Sequence, residues 1–326
     1  MKKLEKIFLA LYGIASILLF LYSYTQVDLN LTLSRVSIWQ TIQKSFQYIG
    51  YFRRPLSTEI YLFILAVFFV LYIWTLRAVA SKKLDERGLW RLILTVTILL
   101  VFSYPAFSND MFNYMFTAKT VLIYHKNPYV LIPMQLSGVE PWIMFMRWVH
   151  LTSAYTPLWI ALTLPAYLLG FGYFLLIMWN IKVLVALFYL ATIWLIGKSL
   201  NIVEPKNKML GMAIFALNPL IIVESLVSSH NDITMMAVAV LAYYLFLTHK
   251  KWGAWFTLSV SAAFKLMTVF LIPVHFLKWN RLYALGFMLL GLALVIMKRE
   301  FLPWYWVWIM PFVALLPGRR DITLLA

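Results

Sequence analysis

What most limits this chain is a series of apolar runs long enough to cross a lipid bilayer. About 20 apolar residues cover the roughly 30 Å hydrocarbon layer as a helix. Runs of that kind lie near 6–24, 59–80, 89–107, 173–197, 209–228, 232–248, 282–297 and 304–316, with two short arms at 252–264 and 266–277. A soluble core shows helical or strand alternation instead. Soluble domains also carry about a quarter charged residues, whereas 12% of these 326 residues are charged and 63% are hydrophobic. The fold class is therefore an all-α polytopic membrane protein, expected as one transmembrane domain over 1–326.

The net charge of +16 does not indicate nucleic acid, because no basic face or reader motif is present. The basic residues cluster between apolar runs: Lys2, Lys3 and Lys6; Arg77, Lys82, Lys83, Arg87 and Arg91; Lys198, Lys206 and Lys208; Lys250 and Lys251; Arg319 and Arg320. That is the positive-inside pattern. It places the N-terminus in the cytoplasm and the segments 25–58 and 108–172 outside. The run at 7–21 lacks a small-x-small cleavage site and reads as an uncleaved first span. With no cysteine, disulfides, thiolate catalysis and Cys-based metal sites are excluded.

One apolar stretch, 156–170, cannot cross without breaking this sidedness. Pro157 and Pro165 interrupt it, so a re-entrant or surface helix is expected on the external face. The arms at 252–264 and 266–277 read as a broken pair meeting at Lys265. No internal repeat is visible.

Only 12 acidic residues exist. Glu5, Asp85, Glu86, Glu204 and Asp321 fall in cytoplasmic loops or termini as solvated charges. Asp110, Glu140, Glu224 and Asp232 fall on or near the external membrane face, where an ionisable group defaults to a functional hypothesis. Asp110, in Ser108-Asn109-Asp110, reads either as a helix cap or as a general base facing a cavity, with Tyr114 one turn along the same side. Lys119 and the turn His125-Lys126-Asn127-Pro128-Tyr129 follow. One carboxylate with no second ligand nearby suits proton abstraction better than metal binding; no cofactor is expected, and a divalent metal stays open.

Asn218-Pro219 weakens its span and frees backbone groups. Glu224 and the turn His230-Asn231-Asp232 follow, either as hydrogen-bonded capping or as contacts to substrate hydroxyls or phosphate. Lys182 lies nine residues into its run, roughly 14 Å deep at 1.5 Å per residue. It needs a ligand or an acidic partner, for which Glu224 is the candidate. Lys265, at the apex of the two arms, either snorkels or binds a phosphate with its compact ammonium. Trp304-Tyr305-Trp306 and Trp308 read first as an interfacial belt, and second as a sugar-stacking or polyprenyl-contacting surface.

The series Asp110, Tyr114, Asn127-Pro128-Tyr129, Tyr155-Thr156-Pro157-Leu158, Lys182, Asn218-Pro219, His230-Asn231-Asp232, Lys265, Pro303-Trp304-Tyr305 resembles the GT-C glycosyltransferases over 89–316. Within them it is most similar to polyprenol- or dolichol-phosphate-mannose-dependent mannosyltransferases, including the GPI first-mannose type and actinobacterial α-mannosyltransferases. The resemblance implies a multi-span fold whose external loop carries short surface or re-entrant helices and an acidic base. It also implies a lipid-phosphate sugar donor and inversion at the anomeric carbon. Asp110 matches the catalytic acidic position and Lys265 the basic residue near the donor phosphate, while His230, Asn231 and Asp232 flank the donor sugar. Tyr114, Lys119, Tyr155, Lys182 and Glu224 complete the expected substrate-binding set.

Two departures accompany the resemblance. The GPI members carry Asp-X-Asp where this chain has Ser108-Asn109-Asp110. Family members also continue with further spans beyond Pro-Trp-Tyr, so this chain is expected to be a C-terminally truncated or degenerate member. The expected function is transfer of a hexose, mannose first, from a polyprenyl-phosphate donor to a glycan or glycolipid hydroxyl. The expected place is the outer face of a prokaryotic plasma membrane. The rival readings are a lipid-linked sugar flippase using Lys182, Glu224 and Asp232 as a charge relay, and a non-catalytic membrane subunit.

Overall fold

The computed structural model describes residues 3–319; Lys2, Arg320 and Asp321 lie outside the described residues. Every regular element among the described residues is helical. The first apolar run forms α1 (Lys3–Ser23). The segment after it carries α2 (Ser37–Gln47), an amphipathic helix that a search for apolar runs does not find, because Gln40, Gln43 and Lys44 interrupt it. The next helices are α3 (Arg54–Ala80) and α4 (Glu86–Val101), the latter started by the Asp85 carboxylate accepting from the Gly88 N–H at 2.8 Å. The run at 89–107 stops being helical at Val101, where the Ser103 hydroxyl donates to the Leu100 carbonyl and Pro105 follows.

Between α4 and the next long helix, α5 (Asp110–Leu122) is followed by two short turns and then α6 (Pro157–Leu168). With 12 residues, α6 is about 18 Å long. It is short of the roughly 20 residues of a straight crossing. The long α7 (Phe174–Val203) leads to α8 (Lys208–Ala216) and α9 (Pro219–Ile222), followed by a π-wound turn, Val223–Val227. The chain bends by 56° between α8 and the second arm. There Pro219 cannot donate, and the Asn218 side chain accepts from the N–H groups of Leu220 and Ile221 at 3.0 and 3.3 Å. The remaining helices are α10 (Asp232–Leu247), α11 (Lys251–Phe264), α12 (Ile272–Phe276), α13 (Arg281–Ile296) and α14 (Trp306–Ala314).

Among the described residues, Lys3–Gln26, Arg54–Ala80 and Phe174–Val203 are long and apolar enough to cross a membrane, and the bent pair 205–227 makes a fourth candidate. The sequence expects more spans. However, α4, α10 and α13 have 16 residues each and α11 has 14, short of the roughly 20 of a straight crossing. Polar turns cut them: His230-Asn231-Asp232 before α10, Thr248-His249-Lys250 after it, and Lys265 after α11.

Packing sorts the chain into two ends. In the centre α10 lies between α7 and α11, α1 packs on α3 and α4, and α14 packs on α8, α10 and α13. Gly211 lets α8 approach α14 closely, since a Cβ there would stand 2.5 Å from the Ala314 carbonyl oxygen. Ion pairs tie the end that carries the basic loops: Glu5–Arg91 at 2.6 Å, Glu86–Lys208 at 2.7 Å and Glu204–Arg281 at 2.7 Å. The Arg281 guanidinium also donates to the Leu315 carbonyl at 2.7 Å. Glu5, Glu86 and Glu204 are therefore paired rather than merely solvated. The helix starts and breaks bearing Asp110, His230, Asp232 and Lys265 gather at the opposite end.

Candidate active site

Asp110 is the first residue of α5, but its carboxylate is not spent on capping that helix. The capping contact comes from Ser108, whose hydroxyl accepts the Asp110 N–H at 3.1 Å. Asp110 Oδ1 instead accepts from the Tyr155 hydroxyl at 3.1 Å, and Oδ2 lies 3.3 Å from His230 Nδ1. Anions at a helix N-terminus are favoured by the peptide dipoles. Burial pushes the Asp110 carboxyl up, but His230, Lys265 and Tyr155 outweigh it and hold the group below its ordinary value. Burial, followed by the Asp110 charge, keeps the Tyr155 hydroxyl well above its usual range.

His230 sits on a turn held in a costly shape. Ser229 has φ 56°, a left-handed conformation uncommon for a residue with a side chain. The His230 N–H donates to the Glu224 carbonyl at 3.0 Å, and the Asn231 N–H donates to the Tyr114 hydroxyl at 3.3 Å. Tyr114 is buried edge-on against Tyr155 and Trp159. It ties α5 to this turn rather than facing an opening.

Asp232, the first residue of α10, also withholds its carboxylate from its own helix. Oδ2 accepts from Lys265 Nζ at 2.7 Å and Oδ1 from Trp308 Nε1 at 2.6 Å. Trp304 lies on the His230 ring with centroids 4.5 Å apart and planes 26° apart. The belt reading of the sequence is corrected for these two tryptophans. They are four residues apart, hence on one helical face, and that face turns into the site. This spacing is the sequence signal that could have found them.

Accessibility separates the cluster. The side chains of Asp232, His230 and Glu224 are 0%, 2% and 6% exposed, whereas those of Asp110 and Lys265 are 23% and 32%. Of this group, the groups with most open surface are one carboxylate and one ammonium. They are joined through the single turn 230–232.

Two of the expected binding residues are placed elsewhere. Lys182 is 1% exposed and does not pair with Glu224. Its ammonium donates to the Ser103 hydroxyl at 3.0 Å and to the carbonyls of Leu226 and Val227 at 2.8 and 2.9 Å. Those carbonyls end the π-wound turn, where helical bonding lapses, so Lys182 holds the strand of chain beneath His230. Glu224 is free to face His230 Nε2, at 3.3 Å. Lys119 belongs to a separate cluster: it pairs with buried Glu140 at 2.7 Å and lies 4.1 Å from the Trp142 ring centroid. Tyr124 and the Trp142 N–H also donate to Glu140, at 2.6 and 3.0 Å.

The family model described as MptA_B family, alpha-(1->6)-mannopyranosyltransferase, N-terminal domain, matches residues 11–281. That stretch contains the site from Asp110 to Lys265. No curated protein and no solved structure matches the chain.

Proposed function

The chain belongs to the alpha-(1->6)-mannopyranosyltransferase family, and from that premise we propose that Asp110 and Lys265 divide the transfer between them. Asp110 takes the proton of an acceptor hydroxyl, and the oxygen attacks C1 of a mannosyl unit. Lys265 faces the phosphate that leaves with its polyprenyl chain. A (1→6) linkage makes the acceptor group the primary C6 hydroxyl of a hexopyranose, with a mannoside as the first candidate. An α product formed with inversion requires a β-linked donor. The transition state is oxocarbenium-like, so the carboxylate also stabilises the positive charge developing at C1. A phosphate is a good leaving group, and a neighbouring ammonium suffices where a glycosidase needs an acid.

The observation that carries this reading is the difference in accessibility. Within a cluster of otherwise buried charges, the accessible groups are one carboxylate held below its ordinary pKa and one ammonium. Tyr155 orients the carboxylate, and Asp232 with Trp308 anchors the ammonium. Their place at the end opposite the basic loops supports a site on the non-cytosolic face, of the GT-C type.

Purified protein incubated with a panel of polyprenyl-phosphate sugars and α-mannoside acceptors tests the proposal. The expected result is release of polyprenyl phosphate from the mannose donor, with formation of an α-(1→6) bond. Transfer from a nucleotide sugar but not from any lipid-phosphate donor would overturn it.

A further inference from the structure

His230 is too buried to touch either substrate, yet it occupies the centre of the site. Its two ring nitrogens face two carboxylates on different elements: Nδ1 is 3.3 Å from Asp110 Oδ2, at the start of α5, and Nε2 is 3.3 Å from Glu224 Oε2, on the π-wound turn. Trp304 covers one face of the ring. The sequence reading assigned Glu224 and His230 to substrate contact, which their burial disfavours.

We propose that Glu224 and His230 are positioning residues for the base: Glu224 fixes the imidazole, and the imidazole fixes the Asp110 carboxylate for proton transfer. This rests on Asp110 being the base. A neutral imidazole has one N–H and one lone pair. Between two carboxylates it would turn a lone pair toward one of them, and only the doubly protonated ring offers a donor to both. The Trp304 face favours a cation as well. The other charged or titratable groups near the pair are Tyr61, on α3, which interacts electrostatically with Glu224, Lys265, which acts on Asp110, and Asp232, Tyr155 and Tyr114. Asp232 is engaged by Lys265 and Trp308. Tyr155 and Tyr114, on the Asp110 side, are both held well above the usual phenol range by burial and then by the Asp110 charge. Burial acts to lower the His230 pKa, but Asp110 and Glu224 outweigh it and raise the value to about 9.

Below about 9 the ring is an imidazolium that aligns Asp110. As pH rises through that value the ring loses a proton, one carboxylate faces a lone pair, and transfer falls. Glu224→Gln keeps the side-chain shape but removes one of the two charges that favour the cation, so the alkaline fall moves to lower pH. Glu224→Asp keeps the charge and retains the alkaline fall near its original place. A packing role alone would lower the rate equally at every pH.

The experiment uses the full chain in lipid nanodiscs. It combines the pH profile of transfer from a polyprenyl-phosphate mannose donor with ¹⁵N-histidine NMR, in which His230 is assigned by its loss in His230→Gln. The expected result has the imidazolium and the rate declining together near pH 9 in the wild type. Both move to lower pH in Glu224→Gln, kcat falls about tenfold, the alkaline loss of one positioning contact at 1.36 kcal/mol, and KM for the donor is unchanged. A His230 ring already neutral at pH 7 in the wild type overturns the proposal. So does an alkaline limb that Glu224→Gln leaves in place. The NMR arm reads His230 whether or not the protein is active. An active Asp110→Asn variant removes the base assignment itself, whereas an inactive one with an unmoved Glu224→Gln profile removes only the positioning pair.

Discussion

Replacing Asp110 by Asn separates charge from shape at the proposed base. The amide has nearly the volume of the carboxylate. Its oxygen can still accept from Tyr155, which donates to Asp110 at 3.1 Å. Glu224 remains 3.3 Å from His230, so the imidazole keeps an anionic partner and the turn 228–231 keeps its anchors. What disappears is the ability to accept a proton and to stabilise charge at C1, together with the acceptor oxygen that faces His230 Nδ1 at 3.3 Å. A positioned general base contributes about 10²–10⁴ in rate. The expected loss is at least about a hundredfold in kcat, which at 1.36 kcal/mol per tenfold is about 2.7 kcal/mol of barrier. KM for the donor should change little, because Lys265 and its support by Asp232 and Trp308 are untouched. The assay is the initial rate of labelled mannose transfer from a polyprenyl-phosphate donor, at matched protein amounts and with melting followed in parallel. Transfer near the wild-type rate by a variant that inserts and melts normally would refute the reasoning.

Three further outcomes are expected. Lys265→Met should raise KM for the lipid-phosphate donor about tenfold and destabilise the protein, by up to about 3–5 kcal/mol for a buried charge stripped of its partner. Adding Asp232→Asn should recover much of the stability in thermal melts without recovering KM. Gly211→Ala should cost about 1–3 kcal/mol by overpacking, and Leu200→Ala should relieve only part of it, because a Cβ there meets the Leu200 side chain and also the Ala314 carbonyl oxygen, which belongs to the backbone and cannot swing aside. Burial raises the Glu204 pKa, but Asn207 and Arg281 outweigh it and hold the carboxyl below its ordinary 4.5. Glu204 therefore adds stability that is present above pH 4.5 and lost as pH falls through the lowered value, and Glu204→Gln should flatten that acid limb in melting experiments.

Much of the candidate site is legible in the sequence. Asp110, His230, Asp232 and Lys265 stand out because charged groups are rare in this chain and costly between apolar runs. The break at Asn218-Pro219 and the non-spanning helix after Pro157 follow from proline's missing donor and from run length. Other features were not legible. α2 has no continuous apolar run, and the tryptophans at 304 and 308 looked like an interfacial belt. Lys182 looked like half of an ion pair, because an ammonium saturated by one hydroxyl and two freed carbonyls leaves no pattern in a sequence.

The sequence by itself determined that the chain is an all-helical membrane protein, which end of it carries the basic loops, and which residues are too polar for their surroundings. Those properties depend on run length and on the cost of burying charge, and both act locally along the chain. Only the tertiary structure decided partners: Tyr155 with Asp110 across 45 residues, Lys265 with Asp232 across 33, and Trp308 with Asp232 across 76. Partner choice depends on where packed helices bring side chains within about 3 Å, and no spacing along the chain encodes that distance.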